Sequence, residues 1–199
     1  MHQYFEENPT TKSNAKEIMM TYQDLKFTFK VDNNVFSKRQ VDQGSLFLVM
    51  AVLKDKLHGH VLDLGAGYGS IGIIIARLRS DLKLSFIEIN ARAYELLKNN
   101  IMINQVSNIK DVIKNDGLKE IGETYDAILL NPPIKAGKTV IYRLYDEAIS
   151  HLNDGGALYL VIQKKHGAIS TINDLTAKQY GVKILNKQHG YYALKVTKE

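Results

Sequence analysis

Two short stretches of this chain carry residue types that could do chemistry. The first is Asn131-Pro132-Pro133-Ile134, which follows the apolar run Tyr125-Asp126-Ala127-Ile128-Leu129-Leu130. Prolines have a fixed φ and no N–H, so they stop a strand and hold the preceding carbonyl in one direction. Such a turn can present two neutral acceptors together, the Asn131 side-chain oxygen and the Pro132 carbonyl. An exocyclic amine conjugated to a purine ring is a poor nucleophile, because its lone pair is delocalised. Two acceptors gripping its hydrogens would pull the nitrogen toward tetrahedral geometry and aim the lone pair. Neither group is a strong base, so positioning and electrostatics would be the contribution. The same four residues would also make a rigid turn whatever the function.

The second stretch is Val61-Leu62-Asp63-Leu64-Gly65-Ala66-Gly67-Tyr68-Gly69-Ser70-Ile71-Gly72, an apolar strand that runs through alternate glycines into a helix. Gly65, Gly67 and Gly69 permit positive φ and, with Ala66, let a ligand lie on the backbone beside a helix N-terminus. By itself this is also what a tight strand-to-helix connection looks like. Two details narrow it. The dinucleotide fingerprint asks for a third glycine where Ser70 stands, and Asp63 sits inside the strand, so a pyrophosphate is not the expected ligand. The next run ends Phe86-Ile87-Glu88-Ile89-Asn90. That places Glu88 at a strand's carboxyl end about 20 residues past the turn, where an acid can accept both ribose hydroxyls. Asn115-Asp116 ends a third strand similarly, with a helix cap or turn former as the competing reading for Asp116.

The elements that must position these residues alternate from about residue 60 onward. Strands are predicted at 60–64, 83–89, 110–114, 125–130, 157–163, 182–186 and 191–197, with helices near 70–78, 91–104, 139–152 and 168–180. This is the pattern of a parallel sheet with crossover helices. Only 187–190 separates the last two strands, too short for a crossover, so they should pair antiparallel. Upstream, 26–31 alternates like a strand, Asp32-Asn33-Asn34 reads as a turn and Val35-Phe36-Ser37 as renewed extended structure, together a hairpin lid. A helix from Gln43 to about Lys56 should then pack on the sheet. One domain, 1–199, is expected, with 1–59 as a hairpin-and-helix extension and 60–199 as the core.

The alternate-glycine turn with Asp63 resembles motif I of S-adenosylmethionine (SAM) methyltransferases, and the Asn131 tetrad resembles motif IV of those acting on amines and amides. Over nearly its whole length the chain resembles the RsmC-like "methyltransferase small domain" proteins, ribosomal RNA guanine-N2 methyltransferases. Further features shared with that branch are Tyr4-Phe5 to Asn8-Pro9, Phe36-Ser37-Lys38 to Asp42-Gln43-Gly44-Ser45, and Gly190-Tyr191-Tyr192. The resemblance implies an α/β, Rossmann-like class I methyltransferase fold: a seven-stranded, mostly parallel sheet with one antiparallel strand. It implies SAM as cofactor and S-adenosylhomocysteine as product, without metal. Asp63, Gly65, Ala66, Gly67, Gly69, Glu88, Asn115, Asp116 and Asn131 would then line the cofactor site, with Asp116 near the adenine amino group. Asn131, Pro132, Pro133 and Ile134 would face the reacting amine. Many such enzymes have an aromatic fourth residue that stacks on the base; Ile134 gives apolar contact only, and Phe36 or Tyr68 is the substitute expected.

Composition sets the outer limits. The 199 residues include 45% hydrophobic and 24% charged side chains, ordinary for a globular protein. There is no cysteine, which rules out disulfides, thiolate metal sites and a cysteine nucleophile. No apolar run is long enough to cross a bilayer and the first residues do not read as a signal peptide, so a cytoplasmic, monomeric protein is the expectation. A net charge of +5, from 26 Lys and Arg against 21 Asp and Glu, favours a polyanionic partner. Lys38-Arg39, Lys135 with Lys138, and Lys164-Lys165 should all emerge on the carboxyl edge of the sheet, consistent with phosphate contacts to ribosomal RNA or a small-subunit particle. Two other readings compete: a protein glutamine-amide methyltransferase, and an RNA-binding or ribosome-assembly factor that keeps the fold without turnover.

Overall fold

A computed structural model describes residues 14–32 and 40–198. Its centre is a seven-stranded sheet built from β3 (His60–Leu64), β4 (Lys83–Glu88), β5 (Ile109–Lys114), β6 (Tyr125–Leu130), β7 (Leu152–Gln163), β8 (Gly181–Gln188) and β9 (Tyr191–Thr197), in the order β5-β4-β3-β6-β7-β9-β8. The central strands are apolar on both faces because helices cover both. Val61, Phe86 and Leu129 face one side, against α1 (Gln43–Val52), α2 (Ser70–Leu78) and α3 (Ala91–Ile103). Leu62, Leu64, Ile128 and Leu130 face the other, against α4 (Lys138–Ser150) and α5 (Ala168–Ala177).

The sheet is parallel except for β9, which pairs antiparallel with both β7 and β8. β9 is therefore interior and β8 forms the edge. After β3 the chain steps outward through β4 to β5, then returns to lay β6 on the other side of β3. The carboxyl ends of β3 and β6 thus meet at a topological switch point, where open α/β sheets bind ligands. The glycine turn leaves one of these strands and the Asn131 tetrad leaves the other.

Upstream of β3 the structure adds a strand that the sequence did not suggest. β1 (Lys16–Tyr22) pairs with β2 (Leu25–Val31) around Gln23 and Asp24, both at positive φ. The strand at 26–31 therefore has a partner before it, while the expected return strand and most of the expected turn, residues 33–39, lie outside the described residues. The hairpin formed by β1 and β2 packs on the helical layer. It rests on α2 and α3, with Phe27 and Phe29 buried and the Arg77 guanidinium over the Phe27 ring. Several boundaries moved as well. α1 ends at Val52, after which Asp55 accepts hydrogen bonds from Tyr159 and Lys195 and holds the chain toward β7 and β9. β7 starts at Leu152, its register against β6 shifting between Tyr125 and Ala127, which hid its first half from strand periodicity.

Asn100 on α3 and Asn104, the C-cap one turn later, fasten the hairpin. Asn104 accepts from the Thr28 N–H (3.1 Å) and donates to the Thr28 carbonyl (2.7 Å). Asn100 does the same for Lys30 (2.7 and 3.0 Å). Their amides stand in for a neighbouring strand along β2, since buried backbone groups need partners. Asn100 also donates to the Tyr68 carbonyl (2.9 Å), which links the hairpin to the glycine turn. Asn100→Ala should therefore lower unfolding free energy by on the order of 3 kcal/mol, leaving three backbone partners unmatched. Urea denaturation reads this, and a loss under about 0.5 kcal/mol would show that the clamp contributes little.

Candidate functional site

Above the switch point lies a cavity of about 250 Å³, walled by the glycine turn, the ends of β4 and β5, Asn131-Pro132-Pro133 and the first half of α4. The Gly65 and Ala66 N–H groups both donate to the Ile87 carbonyl (2.9 and 3.0 Å), so the turn is tied to β4. Gly65 and Gly67 have φ of +69° and +59°, and a Cβ added to either would meet, among the described residues, no atom within 4 Å beyond its chain neighbours. Space beside two exposed stretches of backbone is what a ligand lying on the turn requires. Gly69 is different. A Cβ there would come within 2.5 Å of the Leu97 side chain and 2.7 Å of Ile73, so packing explains this glycine and it does not line the cavity.

Two buried carboxylates shape the turn from behind. Glu88 accepts from the Gly67 N–H (2.7 Å) through one oxygen and from the Asn90 N–H (2.7 Å) through the other. It lines the cavity, where a carboxylate can accept from a hydroxyl. Asp63 accepts from the Gly72 N–H (2.8 Å) in the first turn of α2 and is not on the cavity wall. Its role is to seat the helix N-terminus. Burial, with Glu88 adding repulsion, pushes the Asp63 carboxyl up to about 7, and burial likewise pushes Glu88 up.

Pro132 and Pro133 line the cavity beside Asn131. The Asn131 amide nitrogen donates twice, to Asp42 Oδ2 (3.0 Å) and to Ser45 Oγ (3.0 Å). Among the described residues no donor reaches Asn131 Oδ1 or the Pro132 carbonyl, whereas Ala136 N–H takes the Pro133 carbonyl (2.8 Å). Two acceptors are thus available at the cavity's tetrad side. Ile134 opens a 3-10 turn, Ile134–Ala136, and packs on the apolar cluster beneath the sheet without lining the cavity.

Other expected residues fall into place unevenly. Asn115 and Asp116 line the cavity, but the Asn115 amide donates to the Gly117 and Lys119 carbonyls and holds its own loop. The Asp116 carboxylate pairs with Arg143 at 2.6 Å. Tyr68 is buried with its ring edge-on to Phe29, which removes it as a platform for stacking on a base. Phe36, Lys38 and Arg39 lie outside the described residues. Lys135 follows β6 and Lys164 and Lys165 follow β7, two parallel strands, so these exposed lysines share the carboxyl edge; Lys138 opens α4 nearby. Sequence reasoning missed Asp42 and Ser45 as contacts of Asn131, although their motif was noticed, and it missed Arg143 on α4. It also noted Tyr191 without a role. That ring packs on Phe47 and comes within 3.1 Å of the position a Gly44 Cβ would take.

A mostly parallel α/β sheet with an inserted antiparallel strand and a glycine-lined cavity at its switch point is a Rossmann-like methyltransferase fold. The sequence profile of the methyltransferase small domain matches residues 26–195. The chain belongs to the methyltransferase small domain family. It is 37% identical over 197 residues to the YbxB protein of Bacillus subtilis, covering 98% of each. It is 34% identical over 145 residues to "Ribosomal RNA small subunit methyltransferase C" of Haemophilus influenzae, which is 71% of this chain and 42% of that protein. Among solved structures it resembles the Thermus thermophilus 16S rRNA N2 G1207 methyltransferase, RsmC, solved with AdoMet and guanosine. The TM-score is 0.81 at 24% identity, over 96% of this chain and 52% of the other. The chain thus spans about half the length, or less, of those ribosomal RNA methyltransferases. No helix among the described residues is long and apolar enough to cross a membrane, and no group of three or more His, Asp or Glu among them could hold a metal.

The Asp63 carboxyl gives a test of the turn. Its folded pKa near 7 lies above its unfolded value, so folding takes up a proton between about pH 4 and about pH 7, and stability falls as pH rises across that window. Asp63→Asn keeps an oxygen for the Gly72 N–H and should flatten this part of the profile. Denaturant unfolding at about pH 5 and about pH 8 measures it. A variant that lost stability in parallel with the parent would mean that Asp63 does not titrate there.

Proposed function

We propose that the protein is a SAM-dependent N-methyltransferase acting on the exocyclic amine of a base in RNA, guanine N2 of small-subunit ribosomal RNA. Membership of the methyltransferase small domain family supports the reaction class. The relatives named as small-subunit ribosomal RNA methyltransferases support RNA as substrate, and the guanosine found with the Thermus enzyme supports the base. The observation that carries the reading is Asn131. Both its donors are satisfied by protein, and its acceptor oxygen is left beside the cavity.

The residues fit the cofactor. Gly65 and Gly67 offer backbone with empty space in front of it, and Glu88 offers a carboxylate to hydroxyls. When bound, SAM supplies a methyl group on a sulfonium that is already electrophilic. The protein has then to hold the amine and let its proton leave after transfer. Asn131 Oδ1 and the Pro132 carbonyl would accept the two N–H bonds of the amine, turning its lone pair away from the ring. The two prolines keep that pair of acceptors fixed, so little reorganisation is needed at the moment of reaction. A base acted on this way has to be unstacked, which costs a few kcal/mol that phosphate contacts from Lys135, Lys138, Lys164 and Lys165 would offset.

Incubation with radiolabelled SAM and either protein-free ribosomal RNA or small-subunit particles, followed by nucleoside analysis, tests the reading. N2-methylguanosine is expected; label in ribosomal protein alone would overturn it. Gly67→Leu should abolish SAM binding in calorimetry while the fold persists at a loss of about 1–2 kcal/mol for a side chain at positive φ. Unchanged affinity in a folded variant would refute the assignment of the glycine turn. Asn131→Ala should leave SAM affinity alone and slow single-turnover transfer about a hundredfold, the usual loss for one transition-state hydrogen bond. Lys164→Ala with Lys165→Ala should instead weaken RNA binding in a salt-dependent way, with saturating RNA restoring most of the rate. A normal single-turnover rate for Asn131→Ala would reduce the tetrad to a structural turn.

A further inference from the structure

The stretch Asp42-Gln43-Gly44-Ser45 lies 86 to 89 residues before the tetrad, yet it makes the contacts that orient Asn131. Asp42 is the N-cap of α1: its Oδ2 accepts from the Ser45 N–H (2.8 Å). The same oxygen accepts from Asn131 Nδ2 (3.0 Å), and Ser45 Oγ accepts the second Nδ2 bond (3.0 Å). Gly44 fits between them because a Cβ there would sit 2.9 Å from Asp42 Oδ2 and 3.1 Å from the Tyr191 ring. Each of the three residues therefore serves one arrangement.

That arrangement decides which way the Asn131 amide faces. Oxygen and nitrogen ends of an amide are nearly identical in shape, so packing alone does not choose between them. With the amide reversed, Asn131 Oδ1 would meet Asp42 Oδ2, acceptor against acceptor, and a donor would face the cavity. A donor there would repel the N–H bonds of an amine. We propose that Asp42 and Ser45 are positioning residues for methyl transfer: they capture both N–H donors of Asn131 and so fix its oxygen as the group offered to the acceptor amine. This rests on the proposed amine methylation and adds to it the origin of the orientation.

Asp42→Ser separates this role from the helix cap, because serine caps a helix about as well as aspartate but is too short to keep the Asn131 contact. At saturating SAM and RNA, Asp42→Ser and Ser45→Ala should each slow single-turnover transfer roughly tenfold, and the double variant roughly a hundredfold. Asp42→Asn retains an oxygen at the Oδ2 position and should keep most of the rate. Asp42 is not on the cavity wall, so SAM affinity should be unchanged in Asp42→Ser. A double variant transferring methyl at the parental rate overturns the proposal. Side-chain amide signals of Asn131 in ¹⁵N NMR supply a readout that needs no turnover. Their protons should exchange slowly with solvent in the parent and in Asp42→Asn, and faster in Asp42→Ser and Ser45→Ala. If the parent methylated no RNA, the functional reading would fail, and these signals would still decide the orientation: exchange as fast in the parent as in Asp42→Ser would overturn it.

Discussion

Two buried carboxylates on neighbouring strands, Asp63 on β3 and Glu88 on β4, set the shape of the turn on which the cavity is built. Each accepts from a backbone N–H that the turn or the start of α2 would otherwise leave unmatched. Buried acids are unfavourable unless hydrogen-bonded, and these two also repel each other. The arrangement persists because the N-terminus of α2 supplies partial positive charge at Asp63, while Glu88 is held through both oxygens. The cavity floor is thus rigid at the cost of two groups whose protonation is displaced upward.

Contacts of the same kind act over longer range. Asn100 joins the hairpin to the Tyr68 carbonyl in the glycine turn, and the first turn of α1 joins the tetrad. Side-chain amides and carboxylates, not the sheet alone, therefore couple the segment upstream of β3 to both sides of the cavity. A reaction that depends on alignment gains from this, since small displacements of reacting groups have large effects on rate.

Much of the fold could be read from the chain because its central strands are buried on both faces and end in distinctive residues. β3, α2, β6 and β9 fall where periodicity and the glycine and proline signals put them. The strand at 16–22 and the turn before β2 went unread for a physical reason: that turn, Gln23-Asp24, takes positive φ without a glycine. At the site, Glu88, Gly65, Gly67, Asn131 and the prolines were visible as strand-end residues. The ion pair of Asp116 with Arg143, the packing role of Gly69 and the burial of Tyr68 depend on elements distant in sequence, and no local pattern encodes them.

The place of β9 has a consequence for how the molecule is made. In order of synthesis β8 emerges first, but among the described residues its one neighbour in the sheet is β9, which is also the neighbour of β7. Until β9 arrives, β7 presents an open edge and β8 has nothing to pair with. A nascent chain that has completed everything through β8 thus carries an unpaired, β-rich margin of the kind that attracts other chains. Insertion of a single strand, Tyr191–Thr197, between β7 and β8 closes both gaps at once.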